Sequence, residues 1–341
     1  MLIDTSLRGS FDAIGADAAS LAAEGYDGVW VSETQHEPFL QCLQACQATE
    51  DITVGTSIAI AFARTPMTLA SVGYDLARYS KGRFVLGLGS QIKPHIERRF
   101  SMPWSHPAPR MRELIQGMRA IWDAWQHGTK LDFRGDFYTH TLMTPFFTPE
   151  AHEYGPPPVY LAGVGELMTQ VAGEVADGFF IHPFTTRRYL DEVTLPALRR
   201  GREKGGHVIG DAWSLGDFSV AGPSFVTVGR NEQEMATAIA GTKNQIAFYA
   251  STPAYRGVLE LHGWGEIQPE LGRLSKQGSW EQMGDLISDD MLHTFSVVGT
   301  PEEVGVKLRD KLDGLAQRVS CYANYEVDPA VWGQVRAALR A

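Results

Sequence analysis

Three titratable side chains stand where apolar runs of this sequence end, and they are the first candidates for chemistry. Glu33 and His36 fall in the polar cluster Glu33-Thr34-Gln35-His36 after the run 27–32, and His182 closes the run 178–182. Imidazole changes protonation near neutral pH, so His36 is the leading candidate for proton transfer, with Glu33 and His182 behind it. Each has a plainer reading: Glu33 as an N-cap or rim ion-pair acid, His36 as a loop histidine, His182 as a hydrogen-bonder behind a site. Other chemistries lack their residues. No HxH or paired-carboxylate pattern offers a metal site. Ser57 and Ser90 have no nucleophile-elbow sequence around them. No Lys closes an apolar run, as Schiff-base chemistry would want. What recurs there instead is glycine: Gly55, Gly87, Gly89, Gly163 and Gly165. Small residues let a flat ring lie close to backbone, with a phosphate on a helix N-terminus. That fits an enzyme whose cofactor supplies the hard chemistry.

The elements that would position these residues centre on the stretch 156–186, PPPVYLAGVGELMTQVAGEVADGFFIHPFTT. Val159, Tyr160 and Leu161 form a short strand bounded by prolines and by Ala162-Gly163. Leu167, Val171, Ala172 and Val175 then recur at helical spacing, and the run 178–182 returns to a strand. Glycines at a strand-to-helix turn present free N–H groups to an anion; a plain βαβ turn would use them too. The pattern is not the dinucleotide fingerprint, because Met168 stands where its third glycine would be.

Eight strands are expected, at about 2–4, 27–32, 52–60, 83–89, 159–161, 178–182, within 218–228, and at 319–324. Most are followed by helices. One starts near Ser10. Another is capped by Thr65 with Pro66 behind it. A third carries Met111, Leu114, Ile115, Met118, Ile121, Trp122 and Trp125 on one face, where the tryptophans read as packing. Thr300-Pro301-Glu302-Glu303 reads as a capping box, and Asp328-Pro329 starts the closing helix. This alternation predicts an α/β fold, a (β/α)8 TIM barrel spanning 1–341 as a single domain, with a doubly wound sheet as the alternative. Insertions are expected at about 92–109 and 250–294, after strands 4 and 7, with a hairpin and loop at 128–157; the 250–294 excursion reads as irregular. A barrel places its active site at the C-terminal strand ends, here 33–36, 57–61, 87–91, 163–166 and 182–186.

Composition narrows the partners. The chain has 341 residues, 44% hydrophobic and 21% charged, ordinary for a globular enzyme. A net charge of −10 with scattered Lys and Arg argues against nucleic acid. No signal-peptide pattern or membrane-length apolar run is seen, and the three cysteines, Cys42, Cys46 and Cys321, form no disulfide framework, as in a reducing cytoplasm.

Across nearly its whole length the sequence resembles the bacterial-luciferase-like superfamily of barrel enzymes, which bind flavin mononucleotide (FMN) or the deazaflavin coenzyme F420. VGTSIAIAFARTPMTLA, YSKGRFVLGLGS, RMRELIQGMRAIW, PPPVYLAGVGELMTQVAGEVADGFFI and VVGTPEEV occur in the family's order. ETQHEPF, SQIKPHIERRFSMPWSHP and QIAFYASTPAYRGVLELHGWGE resemble its F420-dependent oxidoreductase subgroup. The resemblance implies cofactor contacts at Glu33, at the Ser57-Ile58 bulge, at Gly89-Ser90-Gln91, and at the phosphate turn Gly163, Val164, Gly165, Glu166, Leu167 and Met168. It also implies a cis Ser57–Ile58 peptide bond and a homodimer or higher homo-oligomer. Two departures stand out: Thr34, not His, follows Glu33, and Gln91 stands where related sugar-phosphate dehydrogenases carry Glu. The expected function is hydride transfer between bound F420 and a small organic substrate. Alternatives are an FMN-dependent monooxygenase and a non-catalytic cofactor-binding barrel.

Overall fold

In a computed structural model, which describes residues 1–209 and 215–341, the strands in chain order are β1 Leu2–Ser6, β2 Gly28–Val31, β3 Thr53–Thr56, β4 Ala59–Ile60, β5 Phe84–Gly89, β6 Phe133–Arg134, β7 Thr139–His140, β8 Val159–Ala162, β9 Gly178–Phe180, β10 Ser219–Val228, β11 Val297–Gly299 and β12 Arg318–Tyr322. Strands β1, β2, β3, β5, β8, β9, β10 and β12 are the parallel staves of a closed (β/α)8 barrel, at the eight places the sequence indicates. By its internal contacts the chain divides into two compact units, a larger one of residues 2–180 and 197–219 and a smaller one of residues 1, 181–196 and 220–341.

In the larger unit the register runs Thr5↔Val29 (β1 to β2), Trp30↔Gly55 (β2 to β3), Gly55↔Val85 (β3 to β5), Leu88↔Leu161 (β5 to β8) and Leu161↔Phe179 (β8 to β9). Every residue of β5 is buried, as expected of a barrel stave covered on both faces. Close packing explains one glycine in β3 and one in β5. A Cβ on Gly55 would stand 2.4 Å from the Trp30 ring, and one on Gly87 would stand 1.8 Å from the Thr56 carbonyl oxygen. Helix Pro66–Tyr79 begins with the anticipated Thr65 cap, completed as a capping box by Thr68. Helix Pro107–His127 buries Trp122 and Trp125, whose indole N–H groups donate to the Ala70 carbonyl (3.0 Å) and the Met143 sulfur (3.3 Å), so both are packing residues. The first helix starts at Ile14, later than expected, because 10–13 forms a turn in which Ala13 N–H donates to Ser10 O. The expected hairpin is present as β6 and β7, and Glu113 accepts from the N–H groups of Asp136 and Phe137 at its turn. Cys42 and Cys46 are buried free thiols on helix Pro38–Ala48, and burial pushes the Cys46 thiol up to about 11.

In the smaller unit β10 pairs in parallel with β11 (Val226↔Val297) and β12 (Phe225↔Tyr322). Strand β11 is missing from the sequence reading, and at three residues it is too short to show a period. The 250–294 excursion is not irregular, contrary to expectation. It folds into helices Arg256–Leu261, Gln268–Gln277, Trp280–Asp285 and Asp289–Phe295. Each is at most about three turns long, too little for helical periodicity to stand out in the sequence. They hold because Leu259, Leu271, Met283, Leu292 and Phe295 join Phe184, Phe225 and Ile246 in one buried cluster. Helix Pro301–Leu312 carries the expected capping box of Thr300 and Glu303, and Asp328 caps helix Pro329–Arg340. Cys321 in β12 is also a free thiol. Among the described residues no helix is long and apolar enough to cross a membrane.

Candidate active site

The third stave does not run straight. It stops at Thr56 and resumes as β4 at Ala59, and the Ser57–Ile58 peptide between them is cis, as the resemblance implies. Hydrogen bonds from the end of β2 hold this bulge. Ser57 N–H donates to Val31 O (2.7 Å), Ser32 Oγ donates to Ser57 O (2.7 Å), and Glu33 N–H donates to Ile58 O (3.2 Å). The Glu33 carboxylate completes the clamp: one oxygen, Oε2, accepts from Ile60 N–H and from Arg64 Nη1, both at 2.7 Å. Arg64 in turn donates through Nη2 to both oxygens of Glu37, at 2.9 and 2.7 Å. Only 6% of the Glu33 side chain is exposed. The rim ion-pair reading of Glu33 therefore describes its contacts: the acid fixes backbone.

Beyond the bulge, the Ile58 side chain lies over Gly89. A Cβ there would meet Ile58 Cδ1 and Cγ1 at 2.8 Å. Gln91 follows in a left-handed conformation (φ 59°), uncommon for a residue with a side chain, and its Oε1 accepts from Ile92 N–H at 3.0 Å. Ser90 Oγ donates to Gln91 O at 3.1 Å. The neighbouring stave β8 leads into the glycine turn. Gly163 is pressed by Met168, whose Cγ would stand 2.9 Å from an added Cβ. Gly165 is the N-cap of helix Glu166–Val175 and carries no side-chain cap, and an added Cβ there would meet nothing within 4 Å. The first intrahelical bond is Thr169 N–H to Gly165 O, so the N–H groups of Glu166, Leu167 and Met168 have no partner among the described residues. The Glu166 carboxylate pairs with Arg200. The turn is a cradle of free donors with an open approach, as an anion requires.

His36 is exposed, with its ring 5.2 Å from that of Phe11 and no hydrogen bond from the described residues. In the smaller unit His182 is only partly exposed and firmly held. Its Nδ1 accepts from Phe184 N–H at 3.1 Å, and its Nε2 is 3.1 Å from the Tyr255 hydroxyl. Its ring stacks on Tyr255 (centroids 4.6 Å apart) and meets Tyr249 edge-on at 4.8 Å. Burial pushes the His182 pKa down to about 4.

A profile of the luciferase-like monooxygenase family matches residues 4–318. The chain belongs to that family. This luciferase-like chain is 54% identical over 305 residues to an uncharacterised protein of Mycobacterium tuberculosis, covering 89% of this chain and 88% of that one. It is 26% identical over 316 residues to a 5,10-methylenetetrahydromethanopterin reductase of Methanolobus tindarius, covering 89% of each. Among solved structures, a coenzyme F420 dependent tetrahydromethanopterin reductase from Methanopyrus kandleri shares its fold at a TM-score of 0.74 and 21% identity, over 93% of this chain and 91% of that one.

Within the larger unit the luciferase-like fold joins Glu33, Ser57, Ile58 and Gly89 through direct contacts, and sets the glycine turn after the stave next to β5. Among the described residues, His36 has no hydrogen bond to any of them, and its ring lies by Phe11 instead. Arg64, which reads from the sequence as a cation pairing with the rim, pairs with Glu33, and residues that the sequence gives no site role gain partners here: Arg200 on Glu166 and Tyr255 on His182. The signal for Arg64 was faint, a lone cation one helix-turn past the bulge. For Tyr255 there was none beyond family resemblance.

Proposed function

We propose that this chain is an F420-dependent oxidoreductase that transfers a hydride between a bound deazaflavin and a small organic substrate. The reading is carried by the bulge, which sets Ile58 against Gly89 beside a glycine turn with three unpartnered N–H groups. A flat ring system with an anionic tail fits those features: an apolar shelf for the ring and free backbone donors for the phosphate. Ser57 and Ile58 would support the ring, and Gly89, Ser90 and Gln91 would line its edge. The turn from Gly163 to Met168 would hold the phosphate. Arg200 keeps the Glu166 charge from opposing that phosphate. When bound, the deazaflavin supplies a carrier of two electrons as hydride. The protein's share is to position, to exclude water and to manage the proton. Glu33 contributes to the first of these, because its oxygen is occupied by the bulge N–H and by Arg64.

F420 is favoured over FMN by the subgroup segments and by the name of the Methanopyrus kandleri neighbour. An FMN-dependent monooxygenase is the competing reading, because the matching family takes its name from that chemistry. Titrating the purified protein with F420 and with FMN, each oxidised and reduced, separates the two. Tighter binding of F420 is expected. A yellow FMN complex with no F420 affinity would reverse the assignment, and no affinity for either would leave a barrel without this chemistry.

A further inference from the structure

Residues 156–158 lead into β8 and Asp177 leads into β9, so they mark the N-terminal ends of those staves, the opposite ends from the glycine turn. A cavity of about 420 Å³ opens there, and every residue that lines it belongs to the larger unit. Its lining mixes the three prolines and Tyr160 with two arginines, Arg119 and Arg202, and two aspartates, Asp177 and Asp217. A volume of this size accommodates a small organic molecule. The N-terminal face of a barrel usually serves stability, so the plain role of these charges is a set of ion pairs. Their hydrogen bonds show otherwise.

The two aspartates are held very differently. Asp177 is fully committed: its Oδ2 accepts from Val159 N–H at 2.8 Å and its Oδ1 from Arg119 Nη2 at 3.0 Å. Arg119 also donates to the Val175 carbonyl, through Nε at 3.1 Å and Nη2 at 2.9 Å. Asp217, by contrast, has a side chain that is 92% exposed, and its one hydrogen bond among the described residues is from Arg202 Nη2, at 2.5 Å. Arg202 is the reverse case. Its side chain is 3% exposed, and besides Asp217 its guanidinium meets the face of the Phe218 ring, 5.3 Å from the centroid. A guanidinium has five N–H donors. Here Nε is buried without an acceptor, and Nη1 makes no hydrogen bond among the described residues. A buried cation with most of its donors idle is costly, and an apolar residue would serve stability better. The fork of a guanidinium grips a carboxylate through paired N–H groups, and Asp217 engages it through one oxygen only.

We propose that this cavity binds a small organic carboxylate, whose oxygens take Arg202 from Asp217 and whose apolar body lies against the prolines and Tyr160. Charge decides the ligand class. A cation would find only Asp217, which water already solvates, whereas an anion finds a buried and under-bonded guanidinium. Asp217 can swing into solvent at little cost, because an exposed acid held by one bond gains little from its pair. Asp177 does not compete for Arg202, since both of its oxygens are taken. The prolines and Tyr160 favour an organic acid over a bare inorganic anion, which would leave that apolar lining in water. The site uses no residue of the bulge or the glycine turn and needs no cofactor, so it stands apart from the reading under Proposed function.

The test uses the full-length wild type, Asp217→Ala, Arg202→Gln and Gly165→Val, with circular dichroism to confirm that each is folded. Each is titrated in a calorimeter, without F420, with benzoate, with benzamide and with inorganic phosphate. Wild type should bind benzoate, and should bind benzamide, which has the same body without the charge, about tenfold more weakly or worse. Asp217→Ala should tighten benzoate binding about fivefold, the scale of removing a competing exposed ion pair. Arg202→Gln should weaken it by about tenfold or more. Gly165→Val should leave it unchanged. No benzoate binding to wild type or to Asp217→Ala overturns the site. Binding that Gly165→Val weakens and Asp217→Ala leaves alone puts the anion at the glycine turn and sinks the proposal equally. Benzamide binding as tightly as benzoate removes the role of charge. Phosphate binding more tightly than benzoate, with the same response to Asp217→Ala, overturns the carboxylate class. Should Arg202→Gln fail to fold, the sign of the Asp217→Ala effect still decides, because unchanged or weaker benzoate binding there contradicts the exchange.

Discussion

The larger unit and the smaller unit build their functional features from different material. In the larger unit the shelf and the cradle are backbone: a bulge, a left-handed Gln91, and a helix start whose N–H groups are bare. Side chains there serve the main chain, as Glu33 does. In the smaller unit the backbone is ordinary helix and strand, and the feature is a set of aromatic side chains around His182, whose ring accepts a single N–H from Phe184. A backbone site suits a large, invariant ligand; a side-chain site can be altered at little cost to the fold.

That contrast predicts that small changes near the bulge are the more damaging ones. The largest effect belongs to Gly87→Ala, whose Cβ would collide with backbone at 1.8 Å. Urea unfolding should show a loss of about 3 kcal/mol, at the upper end of overpacking costs. A value under 1 kcal/mol would mean that the stave yields easily. Next comes Glu33→Ala, which removes the acceptor shared by Ile60 N–H and Arg64. A loss of about 2 kcal/mol is expected for the unsatisfied partners, with a matching fall in F420 affinity. Stability loss with unchanged affinity would detach the clamp from the cofactor.

A comparable effect in the smaller unit should appear only at low pH. The folded-state pKa of His182 is about 4 against an ordinary 6.5, so the unfolded chain takes up the proton first as pH falls. The contribution is fully present above pH 6.5 and is lost as pH falls through 4. From pH 7 to pH 4.5, wild-type protein should lose about 2 kcal/mol more than His182→Gln in parallel urea titrations. Equal slopes would show that His182 is not held neutral. Smaller again is Gly165→Val. No atom lies within 4 Å of its Cβ position and its φ of −97° suits any residue, so the fold should be untouched. F420 affinity should still fall by about tenfold, because a branched side chain crowds the free N–H groups. Unchanged affinity would move the anion elsewhere. Least of all, His36→Ala should change stability by under about 0.5 kcal/mol, as expected of an exposed side chain with no hydrogen bond among the described residues. Any shift in the pH profile of turnover would restore it as a proton donor.

What the sequence revealed follows the same divide. The staves, the capped helices at Thr65 and Thr300 and the glycine turn are encoded locally, in runs and spacings that survive without knowledge of the fold, whereas the Ser57–Ile58 bulge came only from the family resemblance. The helices between Arg256 and Phe295 were missed because each is short and is held by distant partners such as Phe184 and Phe225. The His182 and Tyr255 pair is separated by 73 residues, and nothing in either neighbourhood announces the other. His36 drew attention as a histidine near the second stave, yet residue type alone does not reveal whether a partner orients it.

The three thiols offer a further consequence. Cys42 and Cys46 lie in the larger unit and Cys321 in the smaller, and burial raises the pKa of all three. Cys42 and Cys46 are buried, and a thiol that is both protonated and covered reacts slowly with alkylating reagents; Cys321 is only half-buried. Modification of Cys42 and Cys46 therefore acts as a clock for the local opening that exposes helix Pro38–Ala48. Peptide-resolved alkylation would time the breathing of that helix without introducing a new residue into the chain.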